Sequence, residues 1–251
     1  LVRHGRAVHS IRAVPIRALR EVSGLADGRP LHVHLSEQPA ENEAALAYYG
    51  LTPTGVLAEA RLLGPDTTAV HATHLDDADI ALLAGSGTGA CFCPTTERDL
   101  ADGIGPAREL VDAGVPLSLG SDQHAVVDPF AEAQALEGHE RLRSLRRGRL
   151  TPNLLVEALS GNGYRALGWP EGGRLEAGAL ADFTTIRLDS PRTAGSLPGQ
   201  SLYAAAAADV TTVVVGGESI VSAGVHRLGD VGRLVADAMS VLDGLQQEAG
   251  R

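Results

Sequence analysis

The sequence predicts an α/β fold: an incomplete (β/α)8 barrel followed by a small β-rich module and a last helix. Three observations lead there. Short apolar or β-branched runs alternate with amphipathic stretches through about the first 170 residues, the pattern of βα units on a parallel sheet. After Trp169 the texture changes to short β runs punctuated by Gly. A complete barrel takes roughly 250 residues, so the first part holds about five units rather than eight. A small, complete α/β domain is the competing architecture.

Strands are expected at Gly5–Val8, Leu31–Leu35, Thr67–His71, Thr88–Phe92 and Val115–Leu119. Helices are expected between them. Pro39–Tyr49 stops at Gly50, Pro53–Leu63 stops at Gly64, Asp76–Ala84 follows an Asp-rich start, and Pro106–Ala113 closes on Gly114. Proline lacks the N–H that a first helical turn leaves unpaired, and glycine accepts the left-handed conformation that ends a helix. In the second part, β runs at Gly172–Ile186, Val210–Val215 and Ser219–Val221 make a sandwich-like module, and Val231–Leu245 a helix. The expected division is therefore 1–170 for the barrel part, 171–230 for the β module and 231–251 for the terminal helix.

Apolar residues make up 44% of the 251, enough for a packed core. The net charge is −10 and all 21 basic residues are Arg, which argues against a nucleic-acid partner. An anionic substrate would need a local Arg against that overall field. The most apolar stretch, Ala204 to Gly217, is broken by Asp209 and is too short to span a bilayer, so no membrane partner is expected. Cys91 and Cys93 suit neither a disulfide framework nor a zinc knuckle. On a strand both face one side as free thiols, which suggests a reducing, cytoplasmic setting.

Ionisable residues fall at the C-terminal ends of successive strands, where a parallel barrel builds its active site. His9 follows the first strand, His34 and His71 end the second and third, and Asp122 follows the last. Within His32-Val33-His34-Leu35-Ser36-Glu37, the two histidines point one way and His34 is nearer the mouth. Glu37 lies in the loop above, where a carboxylate can pass a proton without binding metal. Zinc takes neutral imidazole and carboxylate donors and keeps one position for water. His71 is placed to orient or stabilise that water, while His74 belongs to the following loop or helix start.

The runs His34-Leu35-Ser36-Glu37-Gln38, His71-Ala72-Thr73-His74, Thr96-Glu97-Arg98-Asp99-Leu100-Ala101-Asp102-Gly103-Ile104 and Gly120-Ser121-Asp122-Gln123-His124 together resemble the amidohydrolase superfamily. Their order and spacing are most similar to its formimidoylglutamate deiminase family. The resemblance implies a metal-dependent (β/α)8 barrel, here about strands 4–8, with one zinc. It makes His34 a ligand from the fifth barrel strand and Asp122 one from the eighth. Asp122 would also help deprotonate the water, Glu37 would shuttle protons, and His71 would hold the water or the developing oxyanion. His9 and Arg12, in His9-Ser10-Ile11-Arg12, resemble the substrate clamp, with Arg12 on a substrate carboxylate. Iron or another divalent metal suits the same donors.

The implied partner is a small acidic molecule, with a homodimer as the implied assembly. A nucleobase or nucleoside deaminase of the same superfamily is the alternative. The family's first-strand H-x-H is absent from these residues, and the chain opens at Leu1 rather than Met. A C-terminal part of a longer protein, or a non-catalytic fragment, is the reading that follows. The Cys91–Thr95 stretch departs from the family pattern and leaves the role of Glu97 open.

Other features carry less. Gly161-Asn162-Gly163 and Gly216-Gly217 are turn signals, no phosphate-binding fingerprint is present, and no Ser sits in a nucleophile elbow. Arg141-Leu142-Arg143-Ser144-Leu145-Arg146-Arg147 is expected as a solvated basic helical face. His4, His139 and His226 receive no role.

Overall fold

In the computed structural model, which describes residues 2–25, 27–123 and 126–249, the five apolar runs of the first part form one sheet. Its strands are β1 (Arg6–Val8), β2 (Leu31–Leu35), β3 (Thr67–His71), β4 (Gly89–Phe92) and β5 (Leu117–Leu119). They lie in sequence order and every neighbouring pair is parallel. Strands β2 and β3 have the bounds expected from sequence. The others are shorter by one or two residues at their N-terminal ends. The arrangement is consistent with part of a (β/α)8 barrel.

Helices fill every connection. They are α1 (Ile16–Ser23), α2 (Pro39–Tyr49), α3 (Pro53–Glu59), α4 (Asp77–Ser86), α5 (Pro94–Asp99) and α6 (Ala107–Asp112). Helix α2 ends on Gly50 at φ 68°, and α4 starts from a capping box in which Asp76 and Asp79 satisfy each other's backbone N–H. Helix α3 stops short of the expected Leu63 because Arg61 turns left-handed at φ 58°. Two helices were not anticipated. Helix α1 carries no side-chain cap, and α5 is one and a half turns between Cys93 and Leu100.

Beyond the sheet come α7 (Pro129–Ser144), α8 (Pro152–Leu159) and α9 (Gly161–Ala166). The Gly161-Asn162-Gly163 segment opens α9 instead of forming a free turn, and Asn162 donates to the Leu117 carbonyl at 2.9 Å. The basic run is not one helical face either. Helix α7 stops at Ser144, with Leu145 left-handed at φ 56°. Arg141 pairs with Glu137, and Arg143 with Glu140 and Glu109. Glu137, buried, also accepts the N–H groups of Gly148 and Leu150, which fixes the loop after the helix.

The second part holds β6 (Phe183–Ile186), α10 (Pro198–Ala204), β7 (Val210–Val215), β8 (Glu218–Ser222), β9 (Val225–His226) and α11 (Val231–Ala249). Strands β6 to β9 form a single four-stranded antiparallel sheet, and Gly216 and Gly217 make the turn between β7 and β8. No helix among the described residues is long and apolar enough to cross a membrane.

The core lies between sheet and helices. Leu31, Val33 and Leu35 of β2 are buried against it together with Leu19, Leu57, Leu83 and Leu110. Along β2 that leaves His32 and His34 on the other face, half-buried. Because the strands are parallel, their C-terminal ends meet along one rim of the sheet.

Candidate active site

Three strand ends at this rim leave the pleat through left-handed residues: Ser36 at φ 49°, His71 and Ala72 at 70° and 50°, and Asp122 at 51°. Non-glycine residues pay a steric cost for this conformation, and such positions cluster at functional sites. The consequence is clearest at His71. The register pairs Val70 with His34 and His71 with Leu35. An unbroken pleat would therefore turn His71 toward the helices. Its left-handed backbone breaks the alternation, and the ring stacks on that of His34, with centroids 5.5 Å apart and planes 15° apart.

The rings of His9 and His34 are also neighbours, with centroids 5.2 Å apart. His34 Nδ1 lies 2.7 Å from the His9 carbonyl oxygen. A carbonyl only accepts, so Nδ1 carries the hydrogen and Nε2 of the neutral ring keeps its lone pair. His32 is committed elsewhere, with Nε2 donating to the Ala166 carbonyl at 2.8 Å, and His74 donates to the Asp102 carbonyl at 2.7 Å.

Carboxylates surround His71, which is buried. Glu97 Oε1 lies 3.3 Å from Nδ1, while Glu37 and Asp122 approach Nε2 at 3.9 and 4.0 Å. Burial alone would push the imidazole down. The three acids, Glu97 foremost, outweigh it and hold the ring above the ordinary histidine range. Burial in turn pushes the Glu97 carboxyl up, against the opposing pull of His71 and the Cys93 N–H.

Arg12 completes the rim. Its guanidinium bonds Glu37 Oε2 and lies 3.8 Å from Glu41, and its Nε donates to Ser10 Oγ at 3.4 Å. Ser10 Oγ also meets His9 Nδ1 at 2.9 Å. Arg12 keeps a third of its side chain exposed (33%), as Asp122 does (34%). The structure thus brings together His9, Arg12, His34, Glu37, His71 and Asp122. His124 lies outside the described residues. Sequence reasoning missed one contributor, Glu41, and left the role of another, Glu97, open. Pro94, in the first turn of α5, is the signal that could have announced the helix carrying Glu97, but only the fold shows that this helix brings Glu97 to His71.

A catalytic zinc is held by three protein ligands with water in the fourth position. Among the described residues, no group of three or more His, Cys, Asp and Glu side chains comes together that way. The free lone pair of His34 Nε2 and the Asp122 carboxylate suit a divalent cation in kind but fall short in number. Cys91 and Cys93 are free thiols whose sulfurs both face Gly120. Hydrogen bonding with Cys91, together with burial, pushes the Cys93 thiol up.

Residues 7–220 match the amidohydrolase family. The chain belongs to that family. This amidohydrolase is 34% identical over 217 residues to 5-methylthioadenosine/S-adenosylhomocysteine deaminase of Haloarcula marismortui, covering 84% of this chain and 50% of the relative. Formimidoylglutamate deiminase of Pseudomonas aeruginosa is 34% identical over 234 residues, covering 88% and 51%. The 8-oxoguanine deaminase of the same organism is 36% identical over 226 residues, covering 88% and 50%. The chain spans about half the length of the curated relatives it matches. Among solved structures, an adenosine deaminase from Xanthomonas campestris with bound zinc superposes with a TM-score of 0.90 at 28% identity, covering 97% of this amidohydrolase and 57% of that chain.

Proposed function

We propose that this chain is part of a zinc-dependent amidohydrolase that releases ammonia from N-formimidoyl-L-glutamate, leaving N-formyl-L-glutamate, as in histidine breakdown. The observation that carries the reading is Arg12, a partly exposed guanidinium beside Glu37 and one residue from the His9–Ser10 contact. A guanidinium fork matches a carboxylate, and an acyclic diacid presents one.

In the overall reaction water adds to the formimidoyl carbon, the bond to the terminal nitrogen breaks, and that nitrogen departs as ammonia. The oxygen stays as the formyl oxygen. Arg12, with His9 beside it, binds the substrate carboxylate. That carboxylate competes with Glu37 for the guanidinium, so substrate binding frees Glu37 to carry a proton from the water to the departing nitrogen. His71 steadies the charge that develops on the oxygen. His34 and Asp122 would be two of the residues holding the zinc, which would supply an activated water, and Asp122 would share in deprotonating that water. We also take β1–β5 to be strands 4–8 of the amidohydrolase barrel, within residues 1–170, followed by a β module at 171–230 and a terminal helix at 231–251. The sequential parallel order of the five strands supports that reading.

A nucleobase or nucleoside deaminase is the second reading, favoured by relatives of those names at equal identity. Ammonia release from N-formimidoyl-L-glutamate, 5'-methylthioadenosine and 8-oxoguanine separates the two. In the full-length parent, turnover of the formimidoyl compound is expected, and Arg12→Ala there should raise KM about tenfold to a hundredfold, the worth of a charged hydrogen bond of about 1.5–3 kcal/mol. An unchanged KM, or release from a purine alone, sinks the first reading.

A further inference from the structure

Glu97 is buried at the rim, at 2% exposure, and the deaminase reading gives it no task. Its Oε1 accepts the Cys93 backbone N–H at 2.7 Å and faces His71 Nδ1 at 3.3 Å. An ionised carboxylate has only lone pairs to offer, so with Glu97 in that form the hydrogen of the second contact belongs to Nδ1. Glu97 is itself held from two sides. Besides the Cys93 N–H, the helix that carries it is pinned to α7, where buried Glu132 accepts the Thr95 N–H at 3.0 Å and the Thr95 hydroxyl at 2.6 Å.

His71 needs such a restraint. It has left the pleat, so strand geometry no longer sets where its ring points, and a half-turn of the ring would exchange the nitrogen facing the rim. We propose that Glu97 is a positioning residue that holds His71 by its Nδ1–H and so turns Nε2 toward Glu37 and Asp122. The restraint runs from Glu132 through Thr95 and α5 to Glu97, and ends on the imidazole. It is the arrangement by which an outer carboxylate selects a histidine's tautomer. That Nε2 then serves a substrate rests on the deaminase reading; that Nδ1 is held does not.

Long-range proton–nitrogen spectra of the chain labelled with 15N-histidine test this at a pH raised until the His71 ring itself reads as neutral, because the surrounding acids keep it protonated beyond the range in which a free imidazole is neutral. The His71 signals are identified by their loss in His71→Gln. Nδ1 is expected in the protonated, pyrrole-like range in the unaltered chain and in Glu97→Gln, whose amide oxygen still accepts. In Glu97→Ala it is expected to shift to the unprotonated, pyridine-like range. A pyridine-like Nδ1 in the unaltered chain overturns the proposal, and so does an unmoved Nδ1 in a folded Glu97→Ala chain. Should that variant fail to fold, the unaltered chain and Glu97→Gln still decide. Absent ammonia release with the expected spectra removes the deaminase reading and leaves the positioning role standing.

Discussion

Glu41 lies 3% exposed under the rim, with Oε2 receiving the Glu37 N–H at 3.2 Å and Arg12 Nε 3.8 Å away, while Oε1 has no partner. Burial pushes its carboxyl above the ordinary glutamate value, and Arg12 opposes this only in part. A raised carboxyl favours the neutral form in the folded chain. Its stabilising contribution is therefore complete below the unfolded pKa and is lost as pH rises through the folded one. Glu41→Gln, neutral at every pH, should be more stable than the parent at neutral pH. Denaturant midpoints at acidic and neutral pH check this, with the difference expected to vanish on the acidic side. A loss of stability at neutral pH would mean that the Arg12 attraction outweighs burial. Residues of this kind are poorly legible in a sequence. His34, His71 and Asp122 stood out because they end or follow strands, whereas Glu41 sits on a helix as an ordinary polar position and Glu97, though within a matched run, sits on a helix with no strand end to mark its role. Their importance comes from what the fold lays beside them.

Elements with strong punctuation were legible, and β2, β3 and α2 took the bounds their residues announce. Short strands with alternating apolar or β-branched residues, and a proline-to-glycine helix, need no tertiary help to be recognised. Helix α5 escaped because six residues carry little periodicity, and α1, although amphipathic over its eight, because no capping side chain marks its start. The Gly161-Asn162-Gly163 segment misled because a glycine pair reads as a turn, whereas here Asn162 ties a helix start to β5. Close packing explains another glycine, in the loop between α5 and α6. A Cβ on Gly105 would stand 2.4 Å from Phe92 Cε1 and 3.2 Å from the Thr73 backbone, and Phe92 is buried at the end of β4. Neither neighbour is a free side-chain tip, so the loop or the strand end must shift. Gly105→Ala should cost about 1–3 kcal/mol, read as a lower Tm and denaturant midpoint. An unchanged midpoint would show that the loop moves freely over the rim.

At the scale of the whole molecule, five parallel strands deliver their ionisable ends to one rim, and the open question of chemistry is how many donors meet there. Metal affinity rises with ligand number and with the groups that hold each ligand in place. His34 has that support, because the His9 carbonyl fixes its tautomer, but the second proposed donor, Asp122, is a left-handed loop residue a third exposed. With no third donor converging among the described residues, this chain should bind zinc weakly, and elemental analysis after dialysis should find well under one ion per chain. His34→Ala should then weaken a zinc titration further, by tenfold or more, the effect typical of disturbing a metal's supporting groups. One tightly held zinc per chain would have a different meaning. Further donors would have to join His34 and Asp122, from elsewhere in the chain or from a second copy, and a titration followed by size would tell those sources apart. Zinc binding indifferent to both His34→Ala and Asp122→Asn would place the metal away from this rim and remove these residues from the ligand set.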